Sequence, residues 1–310
     1  MRRADVTVPA QVARWLDARH GPWHVVAAAS WPRAGSQVWR LQVRGSGAYL
    51  KVSPNEESFH RERSALTEML PRTSVPTQTL LDADSALRVL LTAALDGDVV
   101  RTLDPPPPAH TEQTIHAQAG AALRAVHGLV RCDDQDAAER VRAERASFLV
   151  SRAQDDLAVC RALLSPDEVG AVALAERSFL DASRDGELGY VHGDFQPRNW
   201  LWDAAAGRTA LIDFEEATAG FVVEDLGWLF ATTWPSRRDL AGAFLGGYGR
   251  PLTASEQVCL AAGTVLGSLG HVADGERLGV AKKVADGLGG LRAGSAALAR
   301  MLAAAASDVT

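Results

Sequence analysis

Val191-His192-Gly193-Asp194-Phe195-Gln196-Pro197-Arg198-Asn199-Trp200, followed by Leu211-Ile212-Asp213-Phe214-Glu215, decides how this 310-residue chain is read. The stretch supplies a carboxylate at Asp194, an amide at Asn199 and a second carboxylate at Asp213. Trp200-Leu201-Trp202 and Thr209-Ala210-Leu211-Ile212 read as two short strands. Asp203-Ala204-Ala205-Ala206-Gly207-Arg208 between them has the polar ends and glycine of a hairpin turn. An antiparallel hairpin returns the chain beside its start, so Asn199 and Asp213 are expected at one open end, with Asp194 on the loop leading in. Carboxylate and amide oxygens suit Mg²⁺, a hard cation that shares phosphate oxygens. Asp213 can bind such an ion directly and Asn199 can take a second, which leaves Asp194 to orient an acceptor hydroxyl and receive its proton. These groups together suit transfer of a nucleotide γ-phosphoryl group to a hydroxyl, a reaction that needs positioning and charge neutralisation more than covalent chemistry.

Upstream residues fit the same chemistry. Trp23-His24-Val25-Val26-Ala27-Ala28 and Val38-Trp39-Arg40-Leu41-Gln42-Val43 read as a strand pair. The loop between them, Ser30-Trp31-Pro32-Arg33-Ala34-Gly35-Ser36-Gln37, offers backbone N–H groups and Ser36 to nucleotide phosphates, although with one glycine it also reads as an ordinary hairpin turn. Gly47-Ala48-Tyr49-Leu50-Lys51-Val52 is a further strand. Lys51 is one of three lysines, against 29 arginines. Within an apolar strand its charge needs a partner, unless the strand lies at an exposed edge. Residues 55–70 carry Phe59, Leu66, Met69 and Leu70 at helical spacing, with Glu57, Glu62 and Glu68 as acids that could meet the lysine. Arg88-Val89-Leu90-Leu91-Thr92-Ala93-Ala94-Leu95-Asp96-Gly97 runs from an apolar strand into a turn.

His192-Gly193-Asp194 through Asn199, then Ile212-Asp213-Phe214-Glu215, resembles the aminoglycoside phosphotransferase and choline-kinase-like family, the small-molecule relatives of protein kinases. The protein-kinase pattern is H-R-D-x-x-x-x-N followed by D-F-G. Gly193 and Glu215 depart from it toward the small-molecule branch, in which His and Gly are common where this chain has Gln196 and Arg198. The resemblance implies Asp194 as the catalytic base, Asn199 and Asp213 as Mg²⁺ ligands, and Lys51 on the α- and β-phosphates of ATP or GTP. It places Glu62 opposite Lys51 and a nucleobase against backbone near Thr92 to Ala94, where the bland alternative is a buried strand and loop. Asp225 would support the catalytic loop from below, or act as a helix N-terminal acid. His192 is expected to be a structural hydrogen-bonder.

The implied fold is α+β and protein-kinase-like: a small antiparallel β lobe over residues 1–97, ending in the hinge, and a larger, mainly helical lobe over 98–310. Pro9 is expected in the first turn of a helix over residues 9–19. The prolines at 105–108 should interrupt regular structure. Ile115, Ala119, Ala122, Leu123 and Val126 share one helix face, ending at His127. Ser165-Pro166-Asp167-Glu168 and Thr253-Ala254-Ser255-Glu256 read as capping boxes. A helix is expected to begin within residues 217–228, and alanine-rich helix closes the chain over 281–306.

Composition excludes other classes. Net charge is −6, the isoelectric point is about 5.8 and no basic run stands out, so nucleic acid is not an expected partner. Cys132, Cys160 and Cys259 lack metal-ligand spacing and fit a reducing compartment. Met1-Arg2-Arg3-Ala4-Asp5 does not open an apolar signal region, and no run of eighteen uncharged apolar residues occurs, so a cytoplasmic protein with no membrane partner is expected. The acceptor is less legible. Asp155, Asp156, Glu216, His271, Asp274, Glu276 and Arg277 are candidate polar contacts or plain solvated helix faces. Ser307-Asp308-Val309-Thr310 lacks the acidic ending of some aminoglycoside-modifying members. The expectation is an antibiotic or related natural product phosphorylated in resistance. The alternatives are a metabolic or biosynthetic kinase of choline, homoserine or sugar type, and a nucleotide-binding pseudokinase. Oligomeric state is not legible.

Overall fold

The computed structural model describes residues 7–30, 35–130 and 134–307. Trp31 to Ala34 of the first loop, Cys132, residues 1–6 and the tail at 308–310 lie outside them. The chain divides into two compact units. The first joins Met1–Pro106 to Pro197–Thr218, and the second joins Pro107–Gln196 to Ala219–Thr310.

The first unit opens with helix α1 (Ala10–His20). Pro9 stands at its N-cap in extended conformation (φ −54°, ψ 138°) rather than in the first turn as expected. Strands β1 (Trp23–Ala28), β2 (Gln37–Val43) and β3 (Ser46–Val52) follow as an antiparallel meander. Helix α2 (Glu56–Ser64) comes next, capped by Asn55, whose side chain accepts the Ser58 N–H at 2.8 Å. The helix expected over 55–70 is α-helical only to Ser64. Ala65–Met69 forms a π-turn and Leu70–Arg72 a 3₁₀ turn, in which Pro71 has no N–H to extend an α-helix. Strands β4 (Leu80–Asp84) and β5 (Val89–Ala93) complete a five-stranded sheet of order β1-β2-β3-β5-β4.

Strand alternation sorts this sheet into two faces. Trp39 and Leu41 of β2, Ala48 and Leu50 of β3, and Val89 and Leu91 of β5 form a buried core with Val12, Trp15 and Leu16 of α1. Those helix residues sit at the i, i+3, i+4 spacing of one helical face. Lys51 follows Leu50 and therefore belongs to the opposite face, opposed across the ladder by Val38 and Leu90. Since β3 is the central strand, the edge-strand reading of Lys51 does not hold.

The two-residue strand β6 (Asp98–Val99) is entered through Gly97 at φ +111°, where a Cβ would lie 2.7 Å from the Trp202 backbone. Only glycine fits there.

The second unit begins with α3 (Ala109–His127), α4 (Gln135–Cys160), α5 (Pro166–Ala182) and strand β7 (Leu188–Val191). The chain then returns to the first unit as the expected hairpin, β8 (Trp200–Asp203) and β9 (Arg208–Leu211), with Trp200 opposite Leu211. It joins β6 in a three-stranded sheet. Thr218–Phe221 forms β10, which pairs with β7, and Val222–Leu226 is a 3₁₀ turn. The expected helix within 217–228 therefore starts only at α6 (Gly227–Thr232), and Asp225 lies in the turn before it. Helices α7 (Arg238–Tyr248), α8 (Ala254–Arg277) and α9 (Ala281–Ser307) finish the chain.

Both expected capping boxes form, at Ser165/Glu168 and Thr253/Glu256. Reciprocal caps of this kind stabilise a helix by about 1 kcal/mol each. Helix α8 is apolar enough by length and composition to cross a membrane, yet 61% of its most apolar stretch is buried inside the protein, as in a core helix. Cys160 and Cys259 are free and buried, and burial pushes the Cys259 thiol up to about 12.

Candidate active site

The first unit gathers charge around Lys51. Its Nζ lies 2.7 Å from Glu62 of α2, 2.5 Å from Asp213 and 3.0 Å from Glu215, both just past β9. Glu57 and Glu68, the competing acids, do not reach it: Glu57 pairs with Arg61 and Glu68 accepts from Ser64. Lys51 and Glu62 are buried, at 9% and 3% exposure. Burial acts to lower the Lys51 pKa, but the three carboxylates outweigh it and hold the ammonium above its ordinary value. Burial pushes Glu62 upward to about 7, with Lys51 opposing and Asp213 and Glu215 adding to the rise.

The hairpin sets Asp213. The Ile212 N–H donates to the Asn199 carbonyl at 3.0 Å, so the ladder that pairs Trp200 with Leu211 places Asn199 and Asp213 at one end. Asn199 is 1% exposed. Asp213 has φ +70°, the left-handed region that aspartate visits more readily than most residues. Beside it Glu215 accepts from the Ser36 hydroxyl at 2.8 Å, which ties the first loop to the Asp213 segment. Arg61 of α2 reaches Glu216 at 3.2 Å. Helix α2 thus contacts this segment through Arg61 and contacts Lys51 through Glu62.

One ammonium faces three carboxylates within this unit, so these four groups, fully ionised, sum to two negative charges. Carboxylate oxygens from Glu62, Asp213 and Glu215 approach within 4.8 Å of one another. A hard divalent cation fits that donor set.

Thr92 lies in β5 opposite Tyr49 and Leu80, and is buried. The Ala93 amide donates to Thr79 at 2.9 Å and the Ala94 amide to Gly47 at 3.0 Å. These two N–H groups are therefore engaged within the sheet. A nucleobase read in this stretch would meet carbonyls or the amides that follow Ala94.

The second unit builds the loop that carries Asp194. Buried Asp225 accepts the backbone N–H groups of His192 and Gly193, each at 2.7 Å. His127 Nε2 lies 2.9 Å from the same carboxylate, and His127 Nδ1 lies 2.8 Å from the Tyr248 hydroxyl. A carboxylate only accepts, so Nε2 carries the proton and Nδ1 accepts from Tyr248. Asp225 therefore fixes loop backbone rather than capping α6. Gly193 has φ +81°, which explains glycine between His192 and Asp194. His192 is fully buried, and its ring packs edge-on against Phe195 at 5.9 Å. Phe195 in turn meets Phe244 of α7 at 6.0 Å. Asp194 accepts a short hydrogen bond from the Gln196 amide.

The candidate acceptor contacts separate. Buried Asp156 of α4 pairs with Arg277 of α8 at 3.0 Å, and Asp274 pairs with Arg277 and with Lys283 at 2.9 Å. Asp155, His271 and Glu276 are exposed on helix faces. Glu216 belongs with Arg61. The ion pairing of Glu215 and the bond from Gln196 were not assigned from sequence. The only sequence signal for Glu215 is the glutamate that replaces the last glycine of D-F-G.

The chain belongs to a family described as the phosphotransferase enzyme family, whose sequence pattern it matches over residues 31–259. It is a kinase-type phosphotransferase that acts on small molecules. No curated protein matches it in sequence. Among solved structures it is similar to the aminoglycoside phosphotransferase APH(4)-Ia, at 18% identity and TM-score 0.66, covering 92% of this chain and 98% of that one. A thermostable mutant of that enzyme in ternary complex with ADP and hygromycin B gives 17% identity and TM-score 0.67, covering 93% and 99%. A GDP and kanamycin complex of an APH(2") enzyme gives 10% identity and TM-score 0.67, again covering 93% and 99%. At these identities the likeness establishes a shared protein-kinase-like fold, with its antiparallel N-terminal sheet and helical C-terminal portion.

Proposed function

We propose that this enzyme transfers the γ-phosphoryl group of ATP or GTP to a hydroxyl of an antibiotic, an aminoglycoside or a related natural product, and so inactivates it in the cytoplasm. The observation that carries the chemistry is the buried Lys51 ammonium held by Glu62 beside Asp213. A nucleotide's α- and β-phosphates have in Lys51 a cation kept charged by its neighbours. Glu62 keeps Lys51 in place while the nucleotide enters and leaves. Asn199 and Asp213 would hold Mg²⁺, with Glu215 close by. When bound, Mg²⁺ neutralises charge on the phosphate oxygens. Asp194 orients the acceptor hydroxyl and takes its proton as the oxygen–phosphorus bond forms and the bond to the β-phosphate oxygen breaks, releasing the nucleoside diphosphate. Asp225 and His192 keep the Asp194 loop in shape. Thr92 and the backbone at Ala94 and beyond border the nucleobase, and Ser36 the phosphates.

The acceptor class rests on the aminoglycosides bound by the structurally similar enzymes. One observation favours a metabolic or biosynthetic acceptor instead: Asp156 and Asp274, candidate partners for a polyamine antibiotic, are already neutralised by Arg277 and Lys283.

The test is Mg²⁺-dependent transfer of labelled γ-phosphate from ATP and from GTP into a panel of aminoglycosides, other antibiotics, choline, homoserine and sugars. Asp194→Asn serves as control. A phosphorylated antibiotic made by the wild type and absent from the control is expected. Product formed only from choline, homoserine or sugar would replace the antibiotic reading. Nucleotide binding with neither transfer nor hydrolysis would identify a pseudokinase.

A further inference from the structure

The backbone around Asp194 is fixed on both sides. Asp225 grips the amides of His192 and Gly193, and Phe195 is 3% exposed against Phe244. Backbone restraint alone does not set the plane of the Asp194 carboxylate, and a carboxylate that must meet one hydroxyl proton needs that plane set as well. Gln196 lies two residues on, ahead of Pro197, and is 8% exposed. Its Nε2 donates to Asp194 Oδ1. An amide can face a carboxylate oxygen favourably only through its N–H, so the bond has one direction.

We propose that Gln196 is a positioning residue for the proton-accepting carboxylate, its amide holding Asp194 Oδ1 and thereby setting the plane that Asp194 presents to the acceptor hydroxyl. This rests on the phosphotransfer role given to Asp194 above. Gln196 touches no reacting atom and acts through Asp194. A neutral donor suits the task. A lysine or arginine at this place would orient the carboxylate too, but its full charge would compete for the electron pair that must receive the proton.

The experiment uses water as acceptor, so that no antibiotic need be identified: Mg²⁺-dependent hydrolysis of ATP and, in parallel, of GTP by the full chain. Wild type is compared with Gln196→Ala, Gln196→Glu and Gln196→His, with Asp194→Asn as control. Gln196→Ala and Gln196→Glu remove the N–H donor, and their kcat is expected to fall by about 10- to 100-fold with KM for the nucleotide within about twofold. Gln196→His offers a ring N–H and is expected to recover most of the loss. Wild-type kcat in Gln196→Ala or Gln196→Glu overturns the inference. An equal loss in all three variants also overturns it, since restoring an N–H donor would then make no difference. Should Gln196→Ala melt early, Gln196→Glu, of the same length, decides between these outcomes. If Asp194→Asn hydrolyses the nucleotide at the wild-type rate, or the wild type turns over neither ATP nor GTP, the phosphotransfer role of Asp194 fails and the inference falls with it. Normal turnover in Gln196→Ala beside a dead Asp194→Asn defeats the inference alone.

Discussion

Asp225 Oδ1 accepts the backbone N–H of Gly193 at 2.7 Å, across 32 residues of sequence, and so fixes the peptide next to Asp194. The other oxygen serves His192 and His127. Asp225→Ala would leave two loop amides and an imidazole N–H without their acceptor in a buried place. A destabilisation of about 3–5 kcal/mol is expected, read as a lower urea midpoint with the slope of the transition unchanged. Asp225→Asn keeps an acceptor oxygen and should lose less stability. A midpoint unmoved by Asp225→Ala would show that the loop is held by other groups.

Asp194→Asn keeps size and polarity and removes the proposed proton acceptor. Turnover should fall by about 10² to 10⁴. Nucleotide affinity, titrated calorimetrically, should stay within about twofold, because the groups proposed to face the phosphates are Lys51 and its neighbours. Undiminished turnover would assign the base elsewhere.

Lys51→Met removes the one ammonium among three carboxylates. Breaking so buried an arrangement should cost about 3–5 kcal/mol near neutral pH. The sign with pH follows from proton uptake. Without Lys51 the carboxylates of the folded variant hold protons more tightly than in the unfolded chain, so its stability falls as pH rises. Denaturation midpoints at pH 5.5 and pH 8 should therefore show the larger deficit at pH 8. A deficit independent of pH would mean that the three acids do not sense one another.

His116 of α3 is 4% exposed, and burial lowers its pKa to about 4, with Glu112 opposing and Arg237 adding to the fall. The folded state thus prefers the neutral ring. Its stabilisation is present above the unfolded value of about 6.5 and is lost as pH falls toward 4. At pH 5 the loss amounts to about 2 kcal/mol. His116→Gln, which cannot charge, should flatten the decline in urea midpoint between pH 7 and pH 5. An unchanged decline would place the acid sensitivity in other groups.

The sequence revealed those features that depend on spacing and polarity. The hairpin emerged as read because β8 and β9 are apolar runs around a turn with glycine, and pairing then brings Asn199 and Asp213 together. Lys51 stood out as a rare charge in an apolar strand, and the resemblance singled out Glu62 among three acids. Features that depend on side-chain direction and on local competition for hydrogen bonds were not legible. Glu215 and Gln196 each make one decisive contact that no periodicity encodes. The amides of Ala93 and Ala94 are engaged by Thr79 and Gly47, partners visible only after the strands pair. Thr218–Phe221 is four residues long and includes Gly220, too short and too weakly patterned to read as a strand. Likewise Asp225 has the spacing of a helix N-terminal acid, while its carboxylate serves a loop far back in the chain.

Lys51 and Asp213 are separated by 162 residues of sequence. On a ribosome adding about 5–20 residues per second, roughly 10 to 30 s pass between the emergence of the lysine and that of the aspartate. Through that interval the five-stranded sheet can form, but its central ammonium lacks two of its three counter-charges. A fragment ending at residue 106 would remain in that condition, with neither Asp213 nor Glu215. The nascent sheet therefore holds a balanced Lys51–Glu62 pair, and the surplus of negative charge around the ammonium arises only when the hairpin is made, a late event in the making of this protein.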